Sequence, residues 1–202
     1  MIKSKEDLKY YIEADLKSLG IRQINMKLRF GALFCPQIWK FQIKMRKLEY
    51  MKNCCCSNKI GKLIFAIKHN MFKSYGLKLG FTIPLNVFGP GLAITHAGAI
   101  IINSHSKFGS NARIHAVVNV GNYSLYDENW TEDNVPVFGD NVYIGPGAKI
   151  FGKIKIGNNV AIAANAVVNK DVPDNVTVGG VPAKVINTRG SAGMIIHGDK
   201  SK

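Results

Sequence analysis

The chain has 202 residues, 47% of them hydrophobic, with 27 Lys+Arg against 13 Asp+Glu and a net charge of +14. That length suits one good core with a small appended domain. No apolar run approaches the ~18 residues that a membrane span requires, and no basic–aromatic motif of a nucleic-acid-binding fold is visible. The charge divides near residue 80. Residues 1–80 carry 17 Lys+Arg and 5 Asp+Glu, whereas residues 81–202 carry 10 and 8. The basic half could meet anionic lipid, a polyanionic glycan or a partner, or form a solvated helical face.

Met1 is followed by alternating charge with no apolar h-region, so no signal peptide is expected. Leu8, Ile12, Leu16 and Leu19 share one face and predict an amphipathic helix over residues 1–19, stopped at Gly20. Residues 22–52 read as a second helical region, interrupted at Pro36. Residues 58–75 read as a third, with Ile60, Leu63, Ile64 and Ile67 on one side. The cysteines are Cys35 and the run Cys54-Cys55-Cys56. Three adjacent cysteines are neither a disulfide framework nor a zinc-ligand spacing, so a reducing, cytoplasmic compartment is expected.

From about residue 82 the composition turns to Gly, Asn, Ile and Val, and a new period takes over. Phe138, Ile144, Ile150, Ile156, Ile162 and Val168 recur every six residues. Neither a helix nor an alternating strand has that period, and six apolar hits in a row would arise by chance roughly one time in a hundred. Three residues after each stand Asn141, Gly147, Lys153, Asn159, Asn165 and Asp171, five of which tolerate positive φ. One further on come Val142, Ala148, Ile154, Val160, Ala166 and Val172. Each hexad thus supplies an inward aliphatic residue, a corner and a second small or β-branched inward residue. That predicts a parallel β-helix of stacked rungs, because one rung alone cannot bury its apolar face.

Read backwards, the hexad continues through Val120, Ile114, Phe108, Ile100, Ile94 and Phe88, with two residues inserted near Asn103–His105. It vanishes between Gly121 and Pro136 into an excursion rich in aromatic and acidic residues, of the kind that usually carries function. Residues Gly179–Ile186 close the coil. The expected division is a helical region 1–80, a coil 81–187 and a loose tail 188–202.

The motif Phe88-Gly-Pro-Gly-Leu-Ala-Ile-Thr-His96-Ala-Gly, the rung Ile144-Gly-Pro-Gly-Ala-Lys-Ile and the ending Gly-Gly-Val-Pro-Ala-Lys-Val-Ile resemble the hexapeptide-repeat acyltransferases. Within them the chain is most similar to the serine acetyltransferases and their saccharide O-acetyltransferase relatives. The resemblance implies a left-handed β-helix, although the usual crossover rule would suggest the opposite hand. It also implies a homotrimer with sites between neighbouring prisms, and acetyl-CoA as donor with no metal.

His96 matches the family's base, which removes a hydroxyl proton as oxygen attacks the thioester carbonyl. On its own residues alone it reads as a structural histidine bonding a neighbouring rung rather than as a base. His115, about one coil on, could orient His96, bind the acceptor, share the base role, or simply sit on the surface. His105 reads as structural. By motif position Gly147, Ala148, Ala164, Lys170 and Lys184 would hold CoA, through small edges, backbone amides and phosphate-binding charge. The oxyanion donor is expected near Val120-Gly121. A zinc site of the γ-carbonic anhydrase kind, which shares the repeat, lacks that family's histidine pair here.

The family's Asp that pairs with the base corresponds to Thr82, the Asp before the His to Thr95, and the Arg-His-Pro loop ending to Asn134-Val135-Pro136. These losses, and the aromatic Tyr123, Tyr126 and Trp130, favour a saccharide acceptor. L-serine is the alternative, and a non-catalytic trimeric scaffold the second. Asp127, Glu128, Glu132 or Asp133 could supply the missing carboxylate.

Overall fold

A computed structural model describes residues 1–20, 37–122, 131 and 134–196. Among the described residues three helices precede the strands: α1 (Lys5–Ser18), α2 (Gln37–Cys54) and α3 (Lys59–Leu79). Ser4 caps α1 by accepting from the Asp7 amide at 3.0 Å, and Asn58 caps α3 from the Gly61 amide at 2.7 Å. Gly80 ends α3 at φ 79. A Cβ there would stand 2.8 Å from the Gly98 backbone, so both conformation and close approach demand glycine.

The faces differ from the sequence expectation. In α1, Leu16 is buried but Leu8, Ile12 and Leu19 only half so; the packed face also carries Tyr11, Asp15 and Ser18. In α3 the expected stripe is the wrong one. Ile60, Leu63, Ile64 and Ile67 are 42–70% exposed, and the helix packs through Phe65, Phe72, Gly76 and Leu79 instead. The two stripes lie roughly 130° apart at 100° per residue, and periodicity alone cannot choose between them. Tertiary contact chooses: Phe41 of α2 stacks on Phe72 at 4.7 Å and meets Phe81 edge-on at 5.0 Å. The expected residues 22–36 of the second helical region, and the excursion's aromatics and acids, lie outside the described residues.

The strands are short and form three sheets. One holds β1 (Phe81–Thr82), β3 (Ile100–Ile102), β6 (Val118–Gly121), β9 (Lys149–Phe151) and β12 (Val167–Val168). A second holds β4 (Lys107–Phe108), β7 (Val137–Phe138) and β10 (Lys155–Ile156), extended by single bridges at Phe88 and Val172. The third holds β2 (Ala93–Ile94), β5 (Arg113–Ile114), β8 (Tyr143–Ile144), β11 (Ala161–Ile162), β13 (Thr177–Gly179) and β14 (Lys184–Asn187). The chain visits the three in rotation, and all pairings are parallel except β13 with β14.

The hexad columns become the core. Every hexad residue from Phe88 to Val168 is buried, none more than 6% exposed, and the second column from Val142 to Val172 is buried beside it. Phe88, Phe108 and Phe138 stack through the interior with centroids 4.3 and 3.9 Å apart. Four of the six expected corner residues take positive φ: Asn141, Gly147, Asn159 and Asn165. Lys153 and Asp171 do not; near Lys153 the left-handed residue is Gly152. One corner is a ladder in which Asn111, Asn141 and Asn159 each donate to the next asparagine, ending at Asn175, at 2.8–2.9 Å. Asparagine tolerates the left-handed turn, and its amide links each rung to the next. The segment read as the start of a loose tail is held to this corner. The Ser191 hydroxyl donates to the Asn141 carbonyl at 2.6 Å, and its amide donates to that of Asn159 at 3.0 Å.

A buried cation ties the helices to the first rung. All five Arg46 N–H groups are used: two on Asp15, one on Glu49, and one each on the Phe88 and Gly89 carbonyls, at 2.7–3.1 Å. Asp15 also accepts from the Gly91 and Leu92 amides, and Glu49 from that of Asn86. Burial by itself would lower the guanidinium's pKa, but Asp15 and Glu49 hold it above its ordinary value. Arg46→Met leaves two carboxylates buried without their cation. It should cost about 3–5 kcal/mol in urea unfolding; a loss below about 1 kcal/mol would show that the cluster is not structural.

Candidate active site

In the six-stranded sheet β2, β5, β8 and β11 leave at the same corner toward the five-stranded sheet, and β13 ends in register with them. Ile94, Ile114, Ile144, Ile162 and Val178 are in register, so the residues after them stack as Thr95, His115, Gly145, Ala163 and Gly179. Amide-to-carbonyl bonds of 2.8–3.1 Å fix that stack. His96 follows Thr95 and is exposed, while His115 is half-buried one rung away. Their ring centroids are 5.8 Å apart, and Tyr143 lies 5.1 Å from His115 on the other side. The geometry therefore brings together the two histidines singled out in the sequence. His105 sits at a different corner, between β3 and β4, where its amide donates to Asn103 Oδ1 at 2.9 Å.

His115 is biased toward neutral. Burial depresses its pKa first, then the Arg113 charge, then His96. Its Nε2 is buried with no hydrogen-bond partner among the described residues. Thr95, in the place of the family's second Asp, spends its hydroxyl on the Ile114 carbonyl at 3.2 Å. Val135 is buried and Thr82 exposed, so neither stands in for a charged group.

The cofactor-binding residues expected from the resemblance divide. Gly147 and Ala164 are on the histidine corner, two and three rungs from His96. Gly147 has φ 77, and a Cβ on it would come within 2.0 Å of Asn165 Oδ1, so rung geometry already requires glycine. Ala148 points into the core and is wholly buried, so its side chain cannot line a groove. Lys184 is exposed on β14 opposite Gly179, beside the same corner. Lys170 is exposed too, but follows β12 and belongs to the next corner. Val120 and Gly121 lie in β6, between β3 and β9, inside a sheet rather than at an edge. Among the described residues no group of three or more His, Cys, Asp or Glu could hold a metal ion.

Sequence reasoning missed Arg113 and Tyr143. Both occupy outward positions of paired strands, directly before the inward residue. Rungs repeat every 18 residues from Ile144 to Ile162 but are 30 apart from Ile114 to Ile144. The excursion thus hides that Arg113 stacks on Tyr143.

Comparison with known proteins supports the resemblance. Residues 136–170 match the family model for the bacterial transferase hexapeptide (six repeats). The serine acetyltransferase of Mycobacterium tuberculosis is 39% identical over 103 residues, which cover 51% of this chain and 43% of that protein. The chain thus spans less than half the length of that relative. The crystal structure of Neisseria gonorrhoeae serine acetyltransferase in complex with serine superimposes with TM-score 0.67 at 27% identity, covering 91% of this chain and 71% of the other. That of the Brucella abortus serine acetyltransferase in complex with coenzyme A gives 0.68 at 26%, covering 92% and 70%. These findings overturn the saccharide as the expected acceptor: the relatives and the structural neighbours named here are serine acetyltransferases. The lost carboxylate positions misled because charge for an amino-acid acceptor need not come from the family's usual places.

The depressed pKa of His115 sets a pH dependence. The unfolded chain takes a proton near 6.5, which folded His115 resists. The penalty is absent above that value and grows as pH falls below it. Between about pH 7.5 and about pH 5.5, the drop in Tm should be smaller in His115→Gln than in the parent. Parallel curves would refute the bias.

Proposed function

We propose that this chain is an L-serine O-acetyltransferase that uses acetyl-CoA. The observation that carries the reading is the exposed His96 imidazole beside a neutral-biased His115, on a corner whose further rungs are Gly145, Ala163 and Gly179. Serine's hydroxyl would lose its proton to His96 as its oxygen attacks the thioester carbonyl. Collapse of the tetrahedral adduct breaks the C–S bond, and the departing thiolate takes the proton back from the imidazolium. His115, kept uncharged, can hydrogen-bond without repelling a protonated His96. Arg113 makes no ion pair among the described residues and is close enough to depress His115. It offers the positive charge that serine's carboxylate needs in place of the lost loop arginine.

The small residues on the corner suit a pantetheine arm laid along the edge, with Gly147 and Ala164 beneath it and Lys184 or Lys170 near the phosphates. The left hand of the coil and a trimer belong to the same reading. Exposed Ile101, Val117, Val137 and Val185 on the coil are apolar surface that neighbouring copies would cover. The free thiols Cys54, Cys55 and Cys56 suit a reducing cytoplasm. The helical region 1–80, the coil 81–187 and the segment 188–202 are its working divisions.

Steady-state thiol release with acetyl-CoA and L-serine tests the proposal. A kcat/KM of about 10⁴ M⁻¹s⁻¹ or above is expected, and His96→Ala should lower kcat at least ~10²-fold while leaving CoA binding intact. CoA binding with no serine turnover would refute the acceptor. No CoA binding at all would favour the scaffold.

A further inference from the structure

The outer stripe of α3 is unexplained by acetyl transfer. Ile60, Leu63, Ile64, Ile67 and Met71 form a continuous exposed apolar line, about 16 Å long at the helical rise. It faces away from the side that packs through Phe65, Phe72, Gly76 and Leu79. Lysines border it on both flanks. At 100° per residue Lys59 lies on one side and Lys68 on the other, with Lys62 and Lys73 further round toward the packed face. Beyond Lys68 a groove of about 580 Å³ between α2 and α3 has an apolar floor of Leu48, Met51, Met71 and Phe72 under Lys44, Lys47 and Lys78. Residues 37–80 hold nine lysines and a single acid, Glu49, which Arg46 already neutralises.

We propose that this face docks the protein on an anionic lipid surface, with the stripe at the boundary between headgroups and acyl chains and the lysines on the phosphates. The charge pattern selects this occupant. A second copy of the same face would set lysine against lysine with no acid to meet them. A soluble polyanion would use the lysines but leave the stripe in water. A surface both negative and partly apolar satisfies both features, as for interfacial amphipathic helices with basic flanks. The proposal stands apart from the acetyltransferase reading.

Co-sedimentation of the full-length protein with phosphatidylcholine vesicles, with and without phosphatidylglycerol, tests it. Binding should require phosphatidylglycerol and weaken as salt rises. The exposed-site variants L63S/I67S and K59E/K68E should keep the parent's Tm and oligomeric state. Each should partition at least ~10-fold more weakly, through lost apolar burial and lost attraction respectively. Undiminished binding in either variant, or equal binding to neutral vesicles, would overturn the proposal. Heparin or RNA binding without vesicle binding would assign the lysines to a soluble polyanion and overturn it. So would a changed oligomeric state in L63S/I67S without vesicle binding, which assigns the stripe to a second copy.

Discussion

Parallel register along Ile94, Ile114, Ile144, Ile162 and Val178 is the constraint on which the site depends. These side chains fill the coil and cannot slip, because a slip of one residue would turn the inward column to solvent. Once they are fixed, the residues after each must emerge at the corner, which sets His115 directly after Ile114 and His96 two places after Ile94 on neighbouring rungs. Function here is read from which residue types occupy a column that the core has already aligned. The column runs from His115 to glycine and alanine, from chemistry to open edge.

The coil's first rungs would otherwise present an open end, and the helices cover it. Arg46 makes that cover specific. An apolar cluster such as Phe41, Phe72 and Phe81 could slide, since dispersion and area burial are not directional. The Arg46 fork on Asp15, Glu49 and two rung carbonyls cannot. The arrangement is costly to desolvate, and its value lies in fixing one orientation of α1 and α2 against residues 86–92. Asp15 has a further role. By accepting from the Gly91 and Leu92 amides it satisfies the backbone just before β2, the strand that leads into His96.

The coil was legible because its signal repeats. Two inward columns and an asparagine-rich corner recur often enough that single exceptions such as Lys153 do not obscure them. The helical region has no repeat, and each misreading there has a local cause. On α3 both stripes satisfy helical spacing, and only the aromatic contact to Phe41 and Phe81 decides which is buried. The Asp15–Arg46 pair escaped sequence reading, since nothing near either residue announces a partner 31 residues away. At the site, His96 and His115 could be found by motif and rung count. Arg113 and Tyr143 could not, because the excursion breaks the count between their rungs. The acceptor was misjudged for a related reason. The absence of a charge at the family's usual position was legible, but the Arg113 charge acting on the histidine corner was not.

Val117 shows what the corner has to accommodate. It stands where the later rungs place Gly147 and Asn165, and it adopts φ 65 although it is β-branched. The left-handed region costs such a residue about 1–2 kcal/mol. Two neighbours hold it there: the Lys149 ammonium donates to its carbonyl at 2.6 Å, and Gly147 donates to the carbonyl of Ala116 at 3.0 Å. The strained residue is two positions from His115, whose Nε2 is buried with no hydrogen-bond partner among the described residues. Strain and an unsatisfied donor or acceptor so close together are what a site organised before its substrate arrives would show. Both costs are met by the stack of rungs on either side. A coil of identical, relaxed corners would be more stable, but it would have no reason to bury an imidazole nitrogen that finds no partner among the described residues of this one.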